Sequence, residues 1–184
     1  FGTELEKRGI MSKMPEMLNV TAPDVIADIH KGYIDAGCDF ITTNTFGANR
    51  FKMPNENREL VIRQAIENAK RYRTSQFVMM DIGPLGKMLE PLGDLSFDDA
   101  YEAFKEMVII SRDYVDGFIL ETFSDLYELK CALLAVKDNS DKPVITTMTF
   151  DNTGHTLTGT SPRIMAELMS NMGADAIGVN CSLG

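Results

Sequence analysis

Five apolar segments of this 184-residue chain each give way to side chains that can do chemistry: Thr43-Asn44-Thr45, Asp81, Glu121-Thr122, Thr147-Met148-Thr149 and Asn180-Cys181-Ser182. Brought to one mouth, they would combine two carboxylates, a thiol, amides and hydroxyls. Glu121 suits ligand binding, but it could equally cap the following helix or pair with a base on a neighbouring loop. Asp81, beside Gly83 and Pro84, can hydrogen-bond turn amides instead of a ligand, and Asn44 and Thr45 can hold their own loop together. Cys181 closes an apolar segment, where a cysteine is either a small hydrophobe or a reactive thiol.

Other candidates have simpler readings. Cys38 precedes its segment, and Cys131 lies mid-helix among Ala132, Leu133 and Leu134, so both read as packing residues. His30 belongs to a helix and His155 to the polar turn Asp151-Asn152-Thr153-Gly154-His155, with no evident metal or nucleophile partner. Asp98 and Asp99 fall in the first turn of a helix, where they complement its positive end, so they do not argue for a paired-carboxylate hydrolase. The 12 methionines follow no stripe and read as core filling.

The elements that would position these groups alternate in period. The spacing predicts a helix from a Thr21/Asp24 capping box to about Gly37, then a strand over Asp39 to Asn44. Val61, Ala65 and Ala69 define the next helix, to about Tyr72, and Phe77 to Asp81 the second strand. Ser96 caps a helix carrying Ala100, Phe104, Met107 and Tyr114. A strand over Gly117 to Glu121, a helix capped by Ser124 and a strand over Val144 to Phe150 follow. Ser161-Pro162 then opens the last helix, and Ala174 to Asn180 forms the fifth strand.

Five apolar strands joined by four crossover helices imply parallel pairing and an α/β fold. No glycine-rich phosphate loop follows any strand, so a (β/α)8 TIM-type barrel is favoured over a doubly wound nucleotide-binding sheet. A complete barrel takes about 250 residues. The expectation is therefore one barrel domain over residues 1–184, truncated at both ends, with one strand before Phe1 and two after Gly184. The absence of an initiator Met agrees with this. In such folds the strands' carboxyl ends carry the chemistry, which is where the five polar clusters fall.

Composition narrows the partners. With 18 basic against 27 acidic residues and a net charge of −9, the surface is not built to neutralise nucleic-acid phosphates. The longest apolar run, Cys131 to Val136, is far shorter than the ~20 residues of a membrane span. An odd count of 3 scattered cysteines leaves at least one thiol free, for which a reducing cytoplasm is the simpler home.

Six stretches in order together resemble the homocysteine S-methyltransferase family, and most closely the homocysteine-binding domain of its cobalamin-dependent branch. They are Thr43-Asn44-Thr45-Phe46-Gly47-Ala48-Asn49-Arg50, Asp81-Ile82-Gly83-Pro84 with Leu89-Glu90-Pro91-Leu92-Gly93-Asp94, Glu121-Thr122-Phe123-Ser124-Asp125, Met148-Thr149-Phe150, Leu157-Thr158-Gly159-Thr160-Ser161-Pro162, and Gly178-Val179-Asn180-Cys181-Ser182-Leu183-Gly184. The resemblance implies a (β/α)8 barrel that activates the homocysteine thiol on a zinc ion held by three cysteines. Cys181 matches the first zinc ligand, and the other two would lie beyond Gly184. It further implies that Glu121 takes the substrate ammonium and that Asn44 and Thr45 line the amino acid pocket. The methyl donor would be methylcobalamin on a separate module, with folate-binding and cobalamin-binding modules as partners within one longer protein. Two alternatives stay open: a cobalamin-independent relative using S-methylmethionine or a betaine, and a barrel fragment without a working site.

Overall fold

A computed structural model describes residues 1–182, so Leu183 and Gly184 of the last resembling stretch lie outside it. Five strands, β1 (Phe40–Thr42), β2 (Phe77–Ile82), β3 (Gly117–Phe123), β4 (Val144–Met148) and β5 (Ala176–Val179), form one sheet in the order β1-β2-β3-β4-β5. Every neighbouring pair is parallel. A doubly wound sheet reverses its strand order at a switch point. This sheet has no reversal, and its sequential order is the one found in a barrel wall.

Among the described residues seven α-helices accompany the strands: α1 (Gly2–Lys7), α2 (Leu18–Thr21), α3 (Pro23–Asp35), α4 (Arg58–Lys70), α5 (Phe97–Ser111), α6 (Leu126–Asn139) and α7 (Pro162–Asn171). The sequence pattern points to neither α1, α2 nor the 3-10 turn Pro15–Met17 that precedes α2. These pieces are too short to carry a periodic signal. None of the described helices is long and apolar enough to cross a membrane.

The core lies between the sheet and its helices. Val78, Met80, Ile82, Phe118, Leu120 and Val144 are fully buried on one sheet face and belong to one apolar cluster with Phe104, Met107, Leu129 and Leu133 of α5 and α6. Burial of α5 follows its sequence spacing: Ala100, Ala103, Phe104, Met107, Val108 and Ser111 make one inward stripe. Its N-cap is Ser96, whose Oγ accepts from Asp99 N at 3.1 Å. Two expected caps are different in the structure. Thr21 instead donates its hydroxyl back to Met17 O at 3.1 Å, as the last residue of α2, and α3 starts at Pro23, which needs no N–H partner. At α6 the cap is Asp125 rather than Ser124, its carboxylate accepting from Tyr127 N at 2.9 Å.

One acid in the helix layer is buried without an ion-pair partner. Glu128, in the first turn of α6, is 4% exposed and accepts from Leu85 N at 2.7 Å. Burial pushes its carboxyl up from 4.5 to about 7, against the pull of that hydrogen bond and of Lys52. Such a group binds its proton more tightly folded than unfolded. Its contribution to stability is therefore fully present below about pH 4.5 and lost as pH rises through about 7. Glu128→Gln keeps an oxygen for Leu85 N and removes the buried charge. It is expected to stabilise the protein at pH 8 by up to about 3 kcal/mol, and far less at pH 5, in urea unfolding at the two pH values.

Candidate active site

The carboxyl ends of the parallel strands share one rim. A cleft of about 330 Å³ opens there, lined by Pro15, Glu16, Thr42, Asn44, Phe46, Asp81, Glu121, Thr122 and Cys181, together with Phe1 and Gly2. Four of the five strand-end clusters singled out in the sequence therefore contribute to this cleft, through Asn44, Asp81, Glu121-Thr122 and Cys181. Thr149, from the remaining cluster, lies alongside and donates its hydroxyl to Cys181 O at 3.1 Å. A larger groove of about 460 Å³, lined by Lys70, Arg73, Tyr114, Asp116 and Lys142, lies where the strands begin and includes none of these residues.

A β-bulge lies at Glu121. Leu120 pairs with Thr146 and Phe123 with Met148, so β3 spends three steps where β4 spends two. The extra residue returns Phe123 to the helix-facing core, where its ring lies 6.0 Å from that of Phe104. Glu121 is left on the cleft side. The bulge places Thr122 at φ 62°, a conformation that a β-branched residue adopts only under constraint. Asn180 supplies the constraint: its Oδ1 accepts from Thr122 N at 3.1 Å and from Thr147 Oγ1 at 2.9 Å, while its Nδ2 donates to Thr122 Oγ1 at 2.8 Å.

The same amide reaches the other two reactive groups. Asn180 Nδ2 lies 3.4 Å from Glu121 Oε2 and 3.7 Å from Cys181 Sγ. Cys181 is exposed and also sits at positive φ, 50°. Its sulfur receives a further contact from Thr122 Oγ1 at 3.8 Å. Two non-glycine residues in the left-handed region, each costing about 1–3 kcal/mol, thus touch across the rim. The other thiols are not placed for chemistry here. Cys131 is buried in α6, its thiol pushed up to about 12 by burial, and Cys38 is partly buried at the start of β1.

Asn44 and Thr45 have different surroundings. The Asn44 side chain lines the cleft but donates to Pro15 O at 2.9 Å, and the Asn44 backbone carbonyl accepts from Asn19 Nδ2 at 2.7 Å. Asn68 Nδ2 in turn donates to Asn19 O at 3.0 Å, so buried amides tie β1, α2 and α4 together. Thr45 is fully buried and lies outside the cleft wall. Its hydroxyl donates to Asp81 O at 2.7 Å and fixes the end of β2 from behind.

Asp81 makes no bond to a turn amide. Its side chain is 4% exposed, its Oδ1 is buried with no hydrogen-bond partner, and its carboxyl is within hydrogen-bonding reach of Glu121. Burial first, then the Glu121 charge, holds the Asp81 carboxyl well above the usual carboxylate range; burial also raises Glu121. Gly83, two residues on, is required by packing, since a Cβ there would stand 2.4 Å from the Phe46 ring.

Glu16 completes the wall and went unnoticed in the sequence. Its Oε1 accepts from Gly47 N at 2.6 Å, docking the Pro15–Met17 turn on the rim. Only the Pro15-Glu16 pair hinted at it, since the turn lies outside any periodic element. The cleft wall thus carries three carboxyls and no Lys, Arg or His side chain. Among the described residues no three His, Cys, Asp or Glu side chains stand close enough to hold a metal ion, and Cys181 offers one soft donor.

A family model for homocysteine S-methyltransferase matches residues 1–183. Methionine synthase of Mycobacterium tuberculosis is 29% identical over 186 aligned positions, which cover 92% of this chain and 16% of that protein. The Mycobacterium leprae methionine synthase is 30% identical, covering 92% and 15%. The chain spans about one-sixth of the length of these curated relatives. Among solved structures, the homocysteine methyltransferase MmuM from Escherichia coli superposes in its apo form with a TM-score of 0.79 at 21% identity, over 98% of this chain and 69% of that one. Its oxidized form gives 0.84 at 19% identity, over 98% and 71%. At such identity the superposition speaks for the fold alone, while the match along residues 1–183 decides descent: the chain belongs to the homocysteine S-methyltransferase family.

Proposed function

We propose that this chain is the homocysteine-binding part of a methionine synthase, holding the amino acid for methyl transfer to its sulfur. The observation that carries the reading is the pairing of Glu121 and Cys181 on one wall of an acidic cleft that has no cationic side chain. A small amino acid with an ammonium at one end and a thiol at the other fits that distribution. The ammonium goes to Glu121, whose carboxylate gives a charge-assisted hydrogen bond. The sulfur goes toward Cys181. Asn44 lines the amino acid pocket, and Thr45 supports it from beneath by holding the end of β2.

The proposed metal is zinc, with Cys181 as one thiolate ligand and two more from outside residues 1–182. Such an ion, when bound, favours the thiolate form of a coordinated thiol. What the chain itself supplies is orientation: Asn180 and Thr122 both direct polar hydrogens at the Cys181 sulfur and hold it on the rim. The proposed donor is methylcobalamin on a separate module of a longer protein, which also carries a folate-binding module. The length of the relatives, roughly six times this chain, supports that organisation. A family member drawing its methyl group from S-methylmethionine or a betaine would use the same cleft, and assays with each donor separate the cases.

Glu121→Gln in the full-length protein is expected to raise the homocysteine KM ten-fold or more, the equivalent of about 1.5–3 kcal/mol for a lost charge-assisted bond. Calorimetry showing unchanged homocysteine affinity would remove Glu121 from the ammonium site. Residues 1–184 alone are expected to hold no stoichiometric zinc after chelator treatment, since three protein ligands are needed and the described residues offer one. Chelator-resistant zinc lost in Cys181→Ser would show instead that the chain completes the site by itself.

A further inference from the structure

We propose that Asp81 is a second substrate-binding and positioning residue, gripping the Glu121 carboxylate with one oxygen and offering the other to the same ammonium group. The inference deepens the reading of Glu121 given above and rests on it. Asp81 ends β2 and Glu121 lies in the bulge of the adjacent strand β3, and both line the cleft. Asp81 Oδ1 is buried yet has no hydrogen-bond partner. Buried acceptors in native proteins are nearly always paired, so this oxygen calls for a hydrogen shared with a neighbouring group, and the Glu121 carboxyl is the group within reach. The edge of the Asp81 carboxyl that lines the cleft then remains for an ammonium N–H.

The two carboxyls stand within hydrogen-bonding reach of each other, and Glu16 adds a third acid to the cleft lining. Adjacent carboxyls in a shared buried site do not both ionise. Burial and the neighbouring charge favour the protonated form of Asp81, the more deeply buried of the two, and in that form its O–H donates to the Glu121 carboxylate. Asn180 Nδ2 approaches the same carboxylate at 3.4 Å. Glu121 is thus held between Asp81 and Asn180 with lone pairs free toward the cleft. The pair carries one negative charge, the complement of one ammonium. No turn amide occupies Asp81, so its carboxyl is not spent on the local loop.

The test uses the zinc-loaded full-length protein and two ligands, L-homocysteine and 4-mercaptobutanoate, which keeps the thiol and carboxylate but lacks the amino group. Asp81→Val is expected to raise the homocysteine KM about ten-fold, the effect of losing a hydrogen bond to a charged group, with kcat within about two-fold. Affinity for 4-mercaptobutanoate, read by calorimetry, should stay within about two-fold, because only contacts to the amino group are lost. Asp81→Asn should recover most of the loss, since its amide can donate to Glu121 while its oxygen remains. Equal weakening of both ligands in Asp81→Val would reduce Asp81 to a structural role and overturn the proposal. So would an Asp81→Asn variant as impaired as Asp81→Val. If Asp81→Val leaves homocysteine binding intact while Glu121→Gln weakens it, Asp81 fails and the ammonium site stands. If neither variant weakens it, the ammonium site itself is misplaced.

Discussion

Strands that all run the same way must each be returned by a crossover on the helix side, so every strand delivers its last residues to the same rim. That constraint governs the molecule. It explains why Asn44, Asp81, Glu121 and Cys181, spread over 138 positions of sequence, line one cleft. It also explains why the core and the site do not compete for residues. One sheet face is filled by Val78, Met80, Ile82, Phe118 and Leu120 against the helices, while chemistry is confined to the strand ends.

The departure from regular pairing occurs where the site needs it. Without the extra residue in β3, Phe123 would leave the helix-facing core, because side chains alternate strictly along a strand. The bulge lets Phe123 stay beside Phe104, while Glu121, next to helix-facing Leu120, faces the cleft by simple alternation. Its cost is a strained Thr122, and the structure meets that cost with one amide: Asn180 fixes Thr122, approaches Glu121 and reaches Cys181. Glu121 and Cys181, two strands apart, are coupled through a single side chain. That coupling suits a substrate whose amino group and sulfur must be held at once.

Much of this was legible from residue types. The five parallel strands follow from short β-branched and apolar runs, and each polar closure marks a rim position. Ser96 and Ser161 act as the caps their spacing suggests. Other features depend on three-dimensional context. Thr45 and Asn44 are neighbours in sequence, but alternation sends one beneath the rim and the other to its wall. Asp81 beside Gly83 and Pro84 has the composition of a turn-bonding aspartate, yet the turn is satisfied by Gly83 N donating to Phe46 O at 3.1 Å, which leaves the carboxyl free. Glu16 belongs to no periodic element, and only the docking of its turn on Gly47 brings it to the cleft. The bulge was invisible because Glu121-Thr122-Phe123 reads equally well as plain strand.

The central claim is that one acidic cleft holds the ammonium of a thiol-bearing amino acid at Glu121 while directing its sulfur to Cys181. A crystal structure of the full-length protein with homocysteine bound tests it most directly. The account predicts the substrate nitrogen within about 3 Å of a Glu121 oxygen, with the sulfur on the Cys181 side of the cleft. A bound homocysteine whose amino group lies away from Glu121, or whose sulfur points away from Cys181, would contradict it.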